Sequence, residues 1–369
     1  MKLPAIHRFS AWLCALAVAS AALIVSAASQ TARGATPEAI LAIMYRLLLD
    51  LPTNVVVNEP VRSPLEALSR EPCDQKAIEE LGTALEKVGR RREAANALTS
   101  FSATCGHHAP SLRSAVNILL TLSDYTRAAS VASDLIALEP FSDNGYFLRA
   151  VAYDRGGSTR QAIDDYVTAI ELFGAKDRIS SVGYFAMARA YEKLGQFCDA
   201  LLPIESWVSL NPARHDTSQT RAIIADYTAK GRCLAAAAGS EEVFKFPRES
   251  KLVRLPVSIN GVRGNFILDT GATFVALTSS FAQKAMVQIE PDSKVQLHTA
   301  NGMTDGKRGR AATMQLRSLA AKDVPVVVQA DAKAAYGDGV DGLLGMSFLS
   351  HFKVSIDTQA VRISGRRAK

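Results

Sequence analysis

The chain has 369 residues, of which 48% are hydrophobic and 21% are charged, a composition typical of a folded protein with more than one domain. Its net charge of +6 comes from basic residues that are spread along the chain. The run Arg90-Arg91-Arg92 is followed at once by Glu93, a pattern typical of a solvent-exposed helix face. Since no nucleic-acid-binding motif accompanies these charges, we expect no nucleic-acid partner.

The first 30 residues have a basic start and a long uncharged run. Lys2 and Arg8 precede Phe9–Ala28, which is rich in Ala, Leu and Val and is followed by Ser29. This order predicts a secretory signal peptide over residues 1–30. The run is also long enough to span a bilayer, so the alternative is an uncleaved anchor in the inner membrane. Both interpretations place the rest of the chain outside the cytoplasm, as a periplasmic or otherwise extracytoplasmic protein.

Residues 37–238 carry Ala, Leu and Tyr at a spacing of three to four residues, which predicts helices. Small residues recur 34, 34 and 38 residues apart, at Ala94, Ala128, Ala162 and Ala200. Five residues before each of them is a residue suited to a turn between two helices: Gly89, Ser123, Gly157 and Gly195.

This helix–turn–helix period resembles tetratricopeptide repeats, and the resemblance covers about Pro72 to Pro212. It implies an α-helical solenoid whose concave surface binds peptides or a partner protein. The alternative is an irregular helical bundle. Nothing in the repeats indicates which partner they bind.

Four cysteines lie outside the N-terminal segment, and none has the close spacing of a zinc or redox motif. In the repeat register, Cys73 begins the first helix of an antiparallel pair and Cys105 ends the second. Cys198 and Cys233 lie similarly on two antiparallel helices. We therefore expect disulfides Cys73–Cys105 and Cys198–Cys233, with free buried thiols as the alternative. His107 and His108 beside Cys105 lack further ligands, so we expect no metal and no cofactor.

The periodicity changes at residues 239–246, and residues 241–369 are predicted to form a mostly-β domain. Asn260-Gly261 is typical of a hairpin turn between the first two strands. The predicted strands are Leu252–Ile259, Val262–Leu268, Val295–Thr299, Val324–Val328, Val354–Asp357 and Val361–Ser364.

Asp269 ends the apolar strand of this domain and is followed by Thr270, Gly271 and Ala272. A buried carboxylate must be hydrogen-bonded, paired or protonated. Two facing carboxyls that share one proton meet this requirement and can act as general base and general acid on a bound water. The tripeptide alone is weak evidence, but Asp341–Leu349 downstream supplies two apolar residues and a glycine that lead into a short helix.

These two motifs resemble the bacterial retropepsin-like aspartic proteases, which carry a single-lobe domain of retroviral type, over about Leu252 to Ile363. The resemblance implies that Asp269 is catalytic and that Thr270, Gly271 and Ala272 support its loop. It also implies that Leu343, Leu344 and Gly345 pack under the site. A flap hairpin that covers the substrate is expected at Ala300, Asn301 and Gly302, with its returning strand at Gly309–Leu316.

The chain has only one Asp-Ser/Thr-Gly motif, because Asp357-Thr358 is followed by Gln359. The second carboxylate must then come from another chain, in a homodimer with the site on its two-fold axis. We expect an exported hydrolase, an aspartic endopeptidase whose repeats recruit protein or peptide substrates. The alternative is a non-catalytic scaffold in which the repeats bind a partner and the protease-like domain only dimerises.

Overall fold

The computed structural model describes residues 35–172, 181–233, 241–247, 250, 252–299, 302–329, 336–357 and 359–365. The segment predicted as a signal peptide or membrane anchor, residues 1–30, lies outside these ranges. Within them, no helix is both long and apolar enough to cross a bilayer.

The N-terminal part is helical, and consecutive helices from α3 to α11 pack against one another. The helices are α1 (Pro37–Arg46), α2 (Thr53–Val56), α3 (Glu59–Arg70), α4 (Gln75–Lys87), α5 (Arg91–Cys105), α6 (Ala109–Thr121), α7 (Tyr125–Leu138), α8 (Asp143–Arg155), α9 (Thr159–Leu172), α10 (Ser181–Lys193), α11 (Phe197–Leu210), α12 (Pro212–His215) and α13 (Ser218–Gly231).

The predicted repeat register is present in these helices. The four turn residues precede α5, α7, α9 and α11, and all have a left-handed backbone: Gly89 (φ 78°), Ser123 (φ 59°), Gly157 (φ 87°) and Gly195 (φ 71°). Glycine adopts this conformation without steric cost, which explains its place at three of the four turns. The four repeated alanines, Ala94, Ala128, Ala162 and Ala200, are completely buried. Their small side chains allow neighbouring helices to approach closely.

Both cysteine pairs form disulfides in the structure. Cys73 and Cys105 have Cα atoms 5.4 Å apart and join the segment before α4 to the end of α5. Cys198 and Cys233 have Cα atoms 5.5 Å apart and join the start of α11 to the residues after α13. The sulfur of Cys105 is thus bonded to another cysteine, and the neighbouring His108 contacts the Ser111 hydroxyl at 2.8 Å through Nδ1.

The mostly-β domain contains two sheets. Its strands are β1 (Glu241–Lys245), β2 (Arg254–Ile259), β3 (Val262–Leu268), β4 (Val275–Thr278), β5 (Gln288–Ile289), β6 (Val295–Thr299), β7 (Gly302–Leu316), β8 (Leu319–Gln329), β9 (Gly342–Leu344), β10 (Phe352–Ile356) and β11 (Ala360–Gly365), with short helices α14 (Ser279–Lys284) and α15 (Met346–Leu349). The larger sheet has the order β2-β3-β9-β4-β8-β7-β5, with β6 paired to β7, and the smaller has the order β1-β11-β10.

Two predicted strand ends are wrong. β2 begins at Arg254 and not at Leu252, because the Ser250 hydroxyl donates to the Leu252 carbonyl and holds this segment in a turn. β10 ends before Asp357, because the Asp357 carboxylate accepts hydrogen bonds from the N–H groups of Gln359 and Ala360, both at 2.8 Å. These local side-chain bonds compete with the strand ladder.

Two predicted strands are longer than expected. The returning strand of the flap runs from Gly302 and not from Gly309, and the strand predicted from Val324 begins at Leu319. Both extensions belong to one long antiparallel ribbon, in which Gly306 pairs with Gln329 and Leu316 pairs with Leu319. The ribbon contains several charged residues that lack strand propensity, and ladder pairing overrides this local preference.

The boundary between the two hydrophobic cores does not coincide with the change from helices to strands along the chain. One core contains the buried residues of α1 to α7 and part of α8. The other contains α9, α10 and α11 together with the β domain, so that Tyr166 and Tyr191 lie in the same cluster as Val326 and Leu344. The last helices are therefore packed onto the mostly-β domain, and residues 239–246 separate two types of secondary structure but not two cores.

Candidate active site

Asp269 is positioned by strand β3, which lies inside the larger sheet. The hairpin turn Asn260-Gly261, with φ values of 50° and 86°, leads from β2 into β3. β3 pairs antiparallel with β2 on one side and parallel with β9 on the other, where Leu268 is opposite Leu344. Since both edges of β3 are paired, the residue that follows it begins its loop from a fixed point.

Two hydrogen bonds made by Asp269 hold its loop in place. The Asp269 N–H donates to the Leu344 carbonyl at 3.1 Å, and the Asp269 Oδ1 accepts from the Gly271 N–H at 2.9 Å. Asp269 is half-buried, Thr270 is exposed and Ala272 is buried. The half-buried Asp269 carboxylate therefore lies beside an exposed threonine, Thr270.

Gly271 is required for space. A Cβ atom at this position would lie 3.2 Å from Asp269 Oδ1, which is tighter than ordinary contacts. Its φ is not in the left-handed region, unlike that of the repeat-turn glycines. A side chain here would therefore press on the carboxylate itself.

The predicted packing element lies under this loop. β9, which contains Leu343 and Leu344, runs between β3 and β4. Gly345 follows it, and a Cβ atom there would overlap the carbonyl oxygen of Phe274. The start of α15 then holds the loop from below, because the Met346 N–H donates to the Ala272 carbonyl at 2.8 Å. Leu343, Leu344 and Gly345 thus lie beside the Asp269 loop in the structure.

The flap prediction is only partly within the described residues. β6 and β7 form an antiparallel hairpin in which Thr299 is opposite Gly302. Gly302 is therefore at the end of the hairpin, whereas Ala300 and Asn301 lie outside the described residues. We use "flap hairpin" below for β6 and β7.

A polar face of helix α9, which sequence reasoning missed, contacts the flap hairpin. Asp164 and Thr168 are 6% and 1% exposed. The Asp164 carboxylate accepts from the Lys294 N–H and the Ser293 hydroxyl, both at 3.1 Å. The Thr168 hydroxyl accepts from the Gln296 N–H of β6 at 2.9 Å. The outer edge of β6 is thus capped by side chains of the helical region.

The same helix face reaches the loop of Asp269. Glu171 lies three residues after Thr168, and its Oε1 accepts from the Thr273 N–H at 3.4 Å. Tyr184 and Tyr336 lie near this carboxylate. The pKa of each is raised, first by burial and then by the negative charge of Glu171.

Two arginines of β7 complete the contact between helices and flap hairpin. Arg308 is buried and forms ion pairs with Asp164 and, at 2.9 Å, with Glu290. Arg310 pairs with Asp199 of α11 and, at 3.2 Å, with Asp323 of β8. Because unpaired buried charges are costly, these pairs restrict how the helices can shift against the hairpin. Among the described residues, no cluster of three His, Cys, Asp or Glu side chains could hold a metal ion.

The sequence offered one signal for this contact. Asp164 and Thr168 fall among the apolar residues of α9, where a polar residue requires a partner. Their partners are more than 120 positions away along the chain, so spacing alone could not identify them.

Comparison with known families agrees with this geometry. Residues 255–348 match the family model described as aspartyl protease. The C-terminal domain is aspartyl protease-like. The match includes Asp269 and Leu343–Gly345 and excludes the helices of the N-terminal part. No curated protein matches the chain.

Several solved structures are similar to parts of the chain. A retropepsin-like aspartic protease from Rickettsia conorii is 26% identical, with 34% of this chain and 98% of that chain covered and a TM-score of 0.28. MamA from Desulfovibrio magneticus RS-1 is 16% identical, with 49% and 99% covered and a TM-score of 0.37. TTC0263, a thermophilic TPR protein of Thermus thermophilus, is 18% identical, with 46% and 89% covered and a TM-score of 0.34.

Proposed function

We propose that this protein is an exported aspartic endopeptidase that is active as a homodimer, with one Asp269 from each chain. The observation that carries the proposal is the position of Asp269, half-buried at the end of a strand paired on both sides, with an exposed Thr270 beside it. Two such loops, related by a two-fold axis, bring two carboxyls together and place the Thr270 hydroxyls at the contact.

The proposed reaction is peptide-bond hydrolysis by activated water. One Asp269 carboxylate accepts a proton from the water, whose oxygen attacks the scissile carbonyl carbon. The protonated Asp269 of the other chain donates to the carbonyl oxygen as the tetrahedral intermediate forms. The intermediate collapses when the C–N bond breaks and the leaving nitrogen takes the proton that the first Asp269 accepted from water. The other Asp269 regains its proton from the hydroxyl of the intermediate as the carbonyl re-forms. The flap hairpin covers the substrate during these steps.

The helical repeats are proposed to recruit protein substrates or a partner protein. The repeat register supports an extended stack of helix pairs, which is suited to binding peptides and proteins. The N-terminal segment and the two disulfides favour a location outside the cytoplasm, in the periplasm or on the outer face of the inner membrane. No resident cofactor is required by this chemistry.

The substitution Asp269→Asn tests the proposal, because it keeps the size of the side chain and removes its charge. We expect this variant to lose cleavage of unfolded protein substrates, as measured by mass spectrometry. It should still sediment as a dimer in analytical ultracentrifugation. Asp338→Asn is the matched control. Asp338 is exposed and lies between β8 and β9, and this variant should retain cleavage. Cleavage by the Asp269→Asn variant would exclude the mechanism. A wild-type protein that dimerises and binds partners without cutting them would favour the scaffold alternative.

A further inference from the structure

One face of helix α9 contacts both the flap hairpin and the loop that carries Asp269. Thr168 binds the N–H of Gln296 in β6, and Glu171 binds the N–H of Thr273 in the loop. The two residues are three positions apart on the helix, a rise of about 4.5 Å. The two parts that would enclose a substrate, from above and below, are therefore joined by less than one turn of the same helix.

Both contacts satisfy backbone donors. Among the described strands, β6 is paired only with β7, so the N–H groups on its other edge need acceptors from elsewhere. Thr168 supplies one of these acceptors, and it is itself almost completely shielded from solvent. A buried backbone donor without an acceptor would be costly, so the helix and the strand are linked energetically.

Contacts of the preceding turn fix the position of α9. Asp164 precedes Thr168 by four residues, lies on the same face and pairs with buried Arg308 of β7. Asp165, the next residue, is turned towards α8, where it forms a bidentate pair with Arg149 at 2.8 Å. The helix is therefore held on the protease side by one aspartate and on the repeat side by the other.

We propose that Thr168 and Glu171 are positioning residues of the protease site, which hold the flap hairpin and the Asp269 loop at a fixed separation. The inference rests on the proposed aspartic protease activity. It makes the last repeats a working part of the enzyme and not only a means of recruitment. Misplacement of a catalytic group by about 1 Å can lower a rate by about a hundredfold, so a support of this kind affects the reaction directly.

Substitutions at the two positions separate this role from a general loss of folding. Glu171→Ala removes the acceptor for the Thr273 N–H, whereas Glu171→Gln keeps an oxygen at the same place. Thr168→Val removes the acceptor for Gln296, whereas Thr168→Ser keeps the hydroxyl. Glu86→Ala is the matched control, because Glu86 is exposed on α4, a helix whose buried residues belong to the other hydrophobic core.

We expect Glu171→Ala to lower kcat by roughly tenfold to a hundredfold with little change in KM, because the Asp269 loop is displaced. Thr168→Val should chiefly raise KM, because the flap hairpin closes less well over the substrate. Glu171→Gln and Thr168→Ser should restore activity to within about twofold of the wild type, since the acceptors return. Glu86→Ala should behave as the wild type.

Amide hydrogen exchange provides a readout that does not depend on activity. Exchange at Thr273 should become faster in Glu171→Ala, and exchange at Gln296 should become faster in Thr168→Val, with global unfolding followed in parallel. Unchanged exchange at Thr273 in Glu171→Ala overturns the inference whether or not the protein cleaves peptides. Loss of kcat in Glu171→Gln equal to that in Glu171→Ala also overturns it. A wild-type protein without cleavage activity would instead refute the proposed function.

Discussion

Arg308 and Asp164 form a buried ion pair that links the flap hairpin to helix α9, with side chains only 7% and 8% exposed. Arg308 also pairs with Glu290, so its guanidinium is neutralised within the protein. Burial of such a pair gives little net stability, but removal of one partner leaves the other charge without compensation. The pair therefore makes the helices around α9 and the β domain depend on each other for their stability.

Removal of Arg308 should destabilise the helices around α9 and the β domain together. We expect Arg308→Met to lower the free energy of unfolding by about 3–5 kcal/mol, because Asp164 is left buried and unpaired. Denaturant unfolding, followed by circular dichroism, would measure the loss. Arg92→Met, at an exposed position of α5, is the control and should change stability by less than about 0.5 kcal/mol. An additional Asp164→Leu substitution should recover part of the loss.

A side chain at Gly345 should disrupt the Asp269 loop. In Gly345→Ala the new Cβ atom would overlap the Phe274 carbonyl oxygen, so β9 or the loop must shift. We expect loss of cleavage together with destabilisation of at least about 2 kcal/mol. Gly183→Ala, in α10, is the matched control. Its Cβ atom would have its nearest neighbour at 3.8 Å, and the change should be neutral or stabilising by up to about 1 kcal/mol.

The disulfide Cys198–Cys233 should stabilise the last helix of the array. It joins α11 to the residues after α13, and its removal frees the end of α13 from α11. We expect the double variant Cys198→Ser/Cys233→Ser to lose about 2–4 kcal/mol, measured by denaturant unfolding without reductant. Reductant should destabilise the double variant less than the wild type, because only Cys73–Cys105 is left to reduce. Equal effects of reductant on both proteins would contradict the prediction.

The contact between the two sheets should weaken in acid. Hydrogen bonds from the Ser318 hydroxyl and N–H, together with Arg317, lower the pKa of Glu242 below its ordinary value near 4.5. A carboxyl with a lowered pKa in the folded state stabilises that state fully above the unfolded value, and this contribution is lost as the pH falls through the folded value. Glu242→Gln should therefore be less stable than the wild type at neutral pH, with a difference that closes in strong acid. A difference independent of pH would contradict this assignment.

The sequence predicted those features that depend on neighbouring residues or on a known motif. The left-handed turns at Gly89, Gly157 and Gly195 follow from the freedom of glycine and the repeat period. The family resemblance implied that Leu343-Leu344-Gly345 packs under the Asp269 loop, but the parallel pairing of Leu268 with Leu344 is visible only in the structure.

The contact of α9 with the flap hairpin could not be predicted in this way. Asp164 and Asp165 are adjacent identical residues, yet one binds Arg308 of the β domain and the other binds Arg149 of α8. Only the three-dimensional packing distinguishes their roles. The edge strand β1 was missed for a related reason, because its first residues carry two glutamates that indicate a loop.

The parallel pairing of β3 with β9 also sets the order in which the molecule can form. The helix pairs are stabilised by contacts between neighbouring segments, which form early and fast during folding. Phe266, by contrast, pairs with Gly342, and the loop between them must close before the Asp269 loop has its support. The helix pairs of the first core can therefore fold before the Asp269 loop has its support. For the proposed protease, this order would keep a newly made chain inactive until its C-terminal domain is complete.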